Sequence, residues 1–466
     1  MKSILQKILT LLAKKYLAKY KPKIVAVTGN TGKTSTKEMI AAVLRSEFKI
    51  RMSGGNLNNE WGVPLAILGD YAEEYYEKGG TLSFWLKVIG KSWAGLFFEK
   101  SYPEILVLEY GADRPGDIAK LAKNFKPDVA VVMAIGEIPV HVEYFSGPEE
   151  LAEEKSKLVQ VLEPADFAVL NYDDFAVLEM KSKTKAQIKT FGFGEGAEVQ
   201  VSDFDFKVGS AGEPQGVVFK IYTDQSAIHL PENFRARATT EREGGSSEPG
   251  RANPGSRVGD MADWLEIKIN GSLGKSQAWA ASAATAVGLI FGLNLDKISD
   301  ALALYHGPAG RLRILKGIKN SWLVDDTYNA SPASMHLALE TLKSLPAQRK
   351  IVVLGDMLEL GKYSIQAHRD VGNFAGTFAD LLITVGARAK FMADAAGNQM
   401  PKENILSFDT SAEASGVVKE LIKDGDLILV KGSQGMRMEK IVEEIMAEPE
   451  KKRELLVRQS KRWLEK

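Results

Sequence analysis

The sequence predicts an α/β protein: a P-loop central domain with a mostly parallel sheet, followed by a C-terminal Rossmann-like α/β domain. Three observations predict it. From residue 21 to about 190, buried-strand patterns alternate with helical ones, which gives a parallel sheet with helices on both faces. Within that run, Val25-Ala26-Val27-Thr28-Gly29-Asn30-Thr31-Gly32-Lys33-Thr34-Ser35 sets a glycine-bearing loop between an apolar strand and a helix. After Gly310 the alternation restarts, with polar clusters at strand C-termini, where ligands bind in such sheets.

The chain has 466 residues, room for about three domains of ~150 residues each. Lys+Arg and Asp+Glu both number 60, so no charge imbalance points to nucleic acid. The absence of Cys excludes disulfides, a thiol nucleophile and thiolate metal sites, and suits the cytosol. No apolar run is long enough to span a bilayer.

Residues 1–20 form an amphipathic helix, with Ile4, Leu5, Ile8, Leu9, Leu12 and Tyr16 near one face and lysines on the rest. It packs on the domain or lies weakly on a membrane surface. It does not read as a signal peptide, so a cytoplasmic location is expected.

The central domain is expected over 21–308. Ile24 to Val27 is its first strand and Thr36 to Leu44 its first helix. Between them, Thr28, Gly29, Asn30, Thr31, Gly32, Lys33, Thr34 and Ser35 form the nucleotide loop, although the first glycine of the usual pattern falls on Val27. Backbone N–H groups of such a loop cradle phosphate oxygens, Lys33 reaches the β/γ-phosphates and Thr34 holds Mg²⁺. The loop Ser53 to Pro64 carries Asn56, Asn58 and Asn59, amides that bind substrate or fix turns. Residues 81–98 are an aromatic helix, for core packing or a partner surface, with lipid contact as a further alternative. Ile105 to Leu108 is a strand ending at Glu109, placed to hold Mg²⁺ beside the loop. Asp128 to Met133 is the next strand, His141 follows it, Lys155 lies on the next helix, and another strand closes at Leu170 to Asp174. Residues 197–230 are β-rich. Residues 231–262, polar and rich in Gly, Pro and Ser, are expected to be a disordered insertion. Ala278 to Ile290 is a small-residue helix.

The C-terminal domain is expected over 309–466. Ser321 to Val324 leads into Asp325-Asp326-Thr327-Tyr328-Asn329, and Ile351 to Leu354 into Gly355-Asp356. Leu381 to Val385 follows, and Leu427 to Val430 ends in Lys431-Gly432-Ser433-Gln434-Gly435-Met436-Arg437.

Nine stretches, in one order from residue 28 to 440, carry a resemblance. They are TGNTGKTS, GNLNNEWGVP, EYGADRPGDI, the His141/Lys155 pair, LNYDD, GPAGRL, DDTYNASPASM, LGDMLELG with His368, and VKGSQGMRMEK. Together they resemble the Mur ligases, and within them the branch that joins D-alanyl-D-alanine to a UDP-muramoyl tripeptide in cell-wall precursor synthesis. The resemblance implies an ADP-forming enzyme that uses ATP and Mg²⁺ at two sites. It implies phosphorylation of a substrate carboxylate, then attack of the amine on the acyl phosphate. Lys33, Glu109, His141 and Lys155 would be the catalytic set. Thr34, Glu109, His141 and Lys155 would hold metal, with Lys155 carbamylated. Gln277, Arg311, Asp326 and Tyr328 would complete the nucleotide site, Asp326 at the ribose. Asn56, Asn58, Asn59, Asn329, Asp356, Lys431, Ser433 and Arg437 are the substrate-binding candidates. A monomer is expected.

Two departures stand out. About twenty residues precede the first strand, so the family's UDP-binding domain is expected to be missing. After residue 273 the family's Gly-x-His-Asn-x-x-Asn reads Gly274-Lys275-Ser276-Gln277-Ala278-Trp279-Ala280, with Gln277 in place of the first amide and Ala280 in place of the second. A Mur-type ligase with another acyl substrate, and a non-catalytic nucleotide-binding protein, are the alternatives.

Overall fold

The computed structural model describes residues 2–210, 212–223 and 263–464. The expected insertion at 231–262 lies outside the described residues.

The first sheet has nine strands: β1 (Lys23–Thr28), β2 (Ile50–Met52), β3 (Ile105–Glu109), β4 (Val129–Val132), β5 (Phe167–Asn171), β6 (Gln187–Gly192), β7 (Val199–Val208), β8 (Pro214–Thr223) and β9 (Asp263–Asn270). Their order is β2-β3-β1-β4-β5-β6-β7-β8-β9. The pairs from β2 to β7 are parallel; β8 and β9 add an antiparallel edge. Strand β1 is central, and a strand covered on both faces must be apolar at every position. Ile24 and Ala26 enter one core cluster, Val25 and Val27 the other.

The helix α1 (Lys2–Tyr20), with α3 (Gly62–Leu68), α5 (Leu82–Phe98), α6 (Asp117–Asn124) and α7 (Pro148–Gln160), covers the first face. A short helix, α4 (Ala72–Lys78), precedes α5. Leu9, Leu12, Ala13 and Tyr16 of α1 are buried, so this helix packs on the domain. The second face is covered by α2 (Lys33–Arg45) and the helix Lys275–Ile290. The small residues of the latter allow close approach: a Cβ on Gly288 would lie 2.8 Å from Val43 Cγ1.

The second sheet contains β10 (Arg313–Lys316), β11 (Trp322–Asp326), β12 (Lys350–Gly355), β13 (Leu381–Val385), β14 (Ile405–Phe408) and β15 (Leu427–Lys431), in the order β10-β11-β15-β12-β13-β14. All pairs are parallel except β10 with β11.

The α/β architecture is as the sequence predicts, with differences in detail. Helix α2 starts at Lys33 rather than Thr36, because Gly32 turns the chain at φ 87° and Lys33-Thr34-Ser35 form the first helical turn. That places their free N–H groups at the phosphate loop. Strands β2, β6, β9, β10 and β14 were not separately expected. No helix among the described residues is long and apolar enough to cross a membrane.

Candidate active site

The phosphate loop links β1 to α2. Gly29 takes φ 136°, and a Cβ there would lie 2.7 Å from Met133 Cβ. Only glycine fits a position that is both left-handed and pressed against a neighbouring strand. The N–H groups of Asn30 and Thr31 bond to Ala134 O at 2.8 and 3.1 Å, and Thr28 Oγ1 donates to Tyr110 O at 2.9 Å. The loop is thereby fixed to the ends of β3 and β4.

Register brings Glu109 to this loop, since Val27 pairs with Glu109 across β1 and β3. Glu109 is buried and accepts from Thr34 Oγ1 at 3.3 Å and from Asn58 Nδ2 at 3.1 Å. Lys37 Nζ lies 3.8 Å from its carboxylate. Burial pushes the carboxyl up, but Lys37, Lys33 and the Asn58 amide outweigh burial and hold it below its usual value. An ionised carboxylate beside a threonine hydroxyl is the hard-oxygen pair that suits Mg²⁺.

Lys155, buried on α7, donates to Gly29 O at 3.1 Å. Burial first, and Lys33 second, push its ammonium down to about 7. Lys33 donates to the same carbonyl at 2.8 Å and is also lowered, chiefly by burial. His141 stands at φ 71°, its Nδ1 2.6 Å from Glu359 Oε2 and its Nε2 3.6 Å from Asp113 Oδ1. Among the described residues no three His, Asp or Glu side chains converge as a metal-holding group.

The second sheet faces the loop across a cleft. Arg311 NH2 lies 3.4 Å from Thr34 Oγ1, and its guanidinium is 3.9 Å from the Tyr328 ring centroid. Tyr328 Oη in turn bonds to Asn56 Oδ1. Asp326 and Lys431 are register partners on β11 and β15, and their side chains pair at 2.6 Å. Gln277 and Ser35 line the same cleft as Arg311, Asp326 and Lys431. Gln277 Oε1 and Arg311 Nε are buried without a partner, polar atoms free for a ligand in the cleft.

The remaining candidates fall into two groups. Asn329, Ser433 and Asp356 each tie down a neighbouring segment: Asn329 Oδ1 accepts from Gln434 N at 3.3 Å, Ser433 Oγ from Leu358 N at 2.8 Å, and Asp356 Oδ1 from Ala389 N at 2.6 Å. Arg437 bonds Glu439 at 2.6 Å. Asn59, by contrast, caps the turn into α3, accepting from Trp61 N and Gly62 N. Ala280 is wholly buried in the sheet core, so its small side chain serves packing. Sequence reasoning did not single out Lys37, Asp113, Glu359 or Arg458. Arg458 donates to Glu439 Oε2 at 2.9 Å and to Thr327 O at 3.0 Å. Glu359 lies within LGDMLELG, but its contact is with His141, far away in the chain, so its local sequence carries no signal for it.

Comparison with known proteins agrees with this geometry. The family model "Mur ligase middle domain" matches residues 27–76 and 90–233, and "Mur ligase, glutamate ligase domain" matches 310–434. The chain is 28% identical over 440 residues to the UDP-N-acetylmuramoyl-tripeptide--D-alanyl-D-alanine ligase of Bacillus subtilis (strain 168), covering 94% of this chain and 79% of that one. The MurF ligase of Thermotoga maritima, solved in complex with ADP, superposes with a TM-score of 0.71 at 25% identity, covering 96% of this chain and 84% of that one. MurF from Acinetobacter baumannii gives 0.70 at 26% identity, covering 93% and 79%. With the phosphate loop, the cleft and both matched domains in one order, the chain belongs to the Mur ligase family.

Proposed function

We propose that this protein is a cytoplasmic ADP-forming ligase that joins D-alanyl-D-alanine to a UDP-muramoyl tripeptide. The observation that carries the reading is Arg311 of the second domain reaching Thr34 of the phosphate loop at 3.4 Å, so that both domains close on one nucleotide. The named activity of the B. subtilis relative, matched along 94% of this chain, supports the choice of substrates.

The residues account for the chemistry in order. Loop N–H groups from Gly32 to Ser35 and the Lys33 ammonium bind the β/γ-phosphates of ATP, Lys33 leaving Gly29 O to do so. Gln277 and Asp326 take the base and ribose side. Thr34 and Glu109 would hold Mg²⁺, which when bound screens the repulsion between carboxylate and triphosphate. Lys155, pushed down to about 7, is partly neutral near pH 7, and a neutral amine attacks CO₂ and gives up a proton to form a carbamate. The carbamate would turn a buried cation at the Gly29 carbonyl into an anionic oxygen ligand, the donor type that a second metal would need. The substrate carboxylate attacks the γ-phosphorus and ADP leaves. The dipeptide amine then attacks the acyl carbon, phosphate leaves, and the amine gives up a proton. Arg311 and Lys33 stabilise charge on the transferring phosphoryl group.

The test is a reaction of ATP, Mg²⁺, UDP-muramoyl tripeptide and D-alanyl-D-alanine, with ADP release and product mass measured. Release of ADP with the mass of the condensed pentapeptide is expected. ADP release only with a different acyl substrate would assign a different Mur-type specificity. No ADP with any acyl substrate would overturn the ligase reading.

A further inference from the structure

Away from the cleft, α1 and α5 form a two-helix platform. They run in parallel: Tyr16 Oη donates to Ser92 O at 3.0 Å, Lys19 Nζ to Leu96 O at 2.6 Å and Tyr20 Oη to Gly95 O at 2.9 Å. The inner faces are buried. The outer faces are not. Ile4 and Leu11 of α1 are 65% and 56% exposed, and Leu82, Leu86, Trp93 and Phe97 of α5 are 69%, 61%, 48% and 69% exposed. On each helix these positions follow a spacing of four and seven, so each set forms one stripe. The stripes adjoin, because Lys15, next in the α1 stripe, holds its ammonium 5.2 Å from the Trp93 ring centroid.

Charge tells what covers this face. Neither helix contains an Asp or Glu, while they carry seven lysines between them. Among the described residues, Lys7, Lys14, Lys15 and Lys91 are exposed and have no carboxylate within ion-pair distance. On the packed neighbour α4, Glu74 pairs with Lys78 and Lys87, and at the end of α5 Glu99 lies 4.0 Å from Arg51. A second copy of the chain would bring two like-charged faces together, because a two-fold contact pairs a patch with itself. A surface of anionic headgroups over an apolar layer matches both features. Aromatic and leucine side chains enter the interface and lysines meet the phosphates. Lys87 and Lys91 lie in mid-helix, so α5 must lie flat rather than insert.

We propose that the α1/α5 face docks this protein on an anionic bilayer surface, with Trp93, Phe97, Leu86 and Leu11 entering the interface and the lysines around them contacting lipid phosphates. This does not depend on the ligase reading.

The experiment is flotation of the full chain with vesicles of phosphatidylcholine alone or mixed with phosphatidylglycerol. Retention should require phosphatidylglycerol and fall at high salt. Trp93→Ser/Phe97→Ser and, separately, Lys14→Glu/Lys15→Glu should each lower the retained fraction about tenfold, with circular dichroism and ADP release unchanged. Leu86→Ser provides a second apolar variant should the first fail to fold. No retention on either vesicle, or equal retention of wild type and folded variants, would overturn the proposal. So would light scattering showing that Trp93→Ser/Phe97→Ser converts a wild-type dimer to a monomer, which would assign the face to self-association.

Discussion

Lys33 and Lys155 donate to one acceptor, the carbonyl oxygen of Gly29, at 2.8 and 3.1 Å. Two ammonium groups on one oxygen repel each other, and burial removes the water that would screen them. Of the two, Lys33 belongs to the loop and can turn to an arriving phosphate. Lys155 is held on α7, where burial and then Lys33 lower its ammonium to about 7.

The carbamate proposed for Lys155 can be tested directly. Incubation with ¹³C-bicarbonate near pH 8 should give a carbamate carbon resonance in wild type that Lys155→Ala lacks. Lys155→Ala should also lose most ligase activity, with partial rescue by short carboxylates. A wild-type ligation rate in Lys155→Ala would remove the residue from the mechanism.

The same lysine gives a stability profile in CO₂-free buffer. Its value when folded, about 7, lies below the usual 10.5. The folded protein therefore binds fewer protons than the unfolded chain between these values, and stability rises with pH across that window. Below pH 7 both states are protonated and the whole cost of burying the cation is present. Urea unfolding at pH 7 and pH 9 should show the rise, reduced in Lys155→Met. Lys33 contributes with the same sign, so some slope remains.

Asp326 and Lys431 form a pair with both side chains almost wholly buried. Lys431→Met leaves Asp326 a buried charge without its partner, a loss of about 3–5 kcal/mol in such sites. Urea unfolding should register a loss of that size. An unchanged midpoint would mean that Asp326 is satisfied by water.

Gly29→Ala puts a methyl against Met133 in a left-handed backbone. Strain of this kind costs about 1–3 kcal/mol, and each 1.4 kcal/mol is about tenfold in affinity. Titration calorimetry should show nucleotide binding weakened by about tenfold or more. Equal affinity would mean that the loop binds phosphate in another conformation.

His141 and Glu359 join the two domains at 2.6 Å. The His141 contact, against some burial, holds the Glu359 carboxyl below its usual value of 4.5. A lowered carboxyl contributes to the contact above its unfolded value and loses that contribution as pH falls through the folded one. Glu359→Gln should enlarge the radius of gyration of the ligand-free protein at neutral pH. Superposable scattering curves would show that the pair does not hold the domains.

The parts of the site that lay in the sequence were those fixed by local chain order. Lys33 and Thr34 follow two glycines after a strand, and Glu109 ends a buried strand, so their positions were legible. Lys155 was legible only through the resemblance, because nothing in its local sequence marks it as buried. Lys37 and Glu359 were missed because their contacts join segments far apart in the chain, Lys37 reaching Glu109 and Glu359 reaching His141. Strand β9 was missed because it abuts a polar stretch, and its alternation in Asp263–Asn270 is satisfied only against β8. Asn56 and Asn59 look alike in sequence; pairing with Tyr328 and capping α3 separate them.

The register of β8 with β9 sets Thr223 directly opposite Asp263. β8 therefore ends and β9 begins at one point on the sheet. Chain-closure entropy grows slowly with length, about 0.6 kcal/mol per doubling. A tight turn in place of residues 224–262 should keep every β8–β9 pair and gain roughly 2 kcal/mol on that scaling. This edge of the sheet is thus a natural port, where foreign sequence can be grafted or new termini opened without disturbing the cleft.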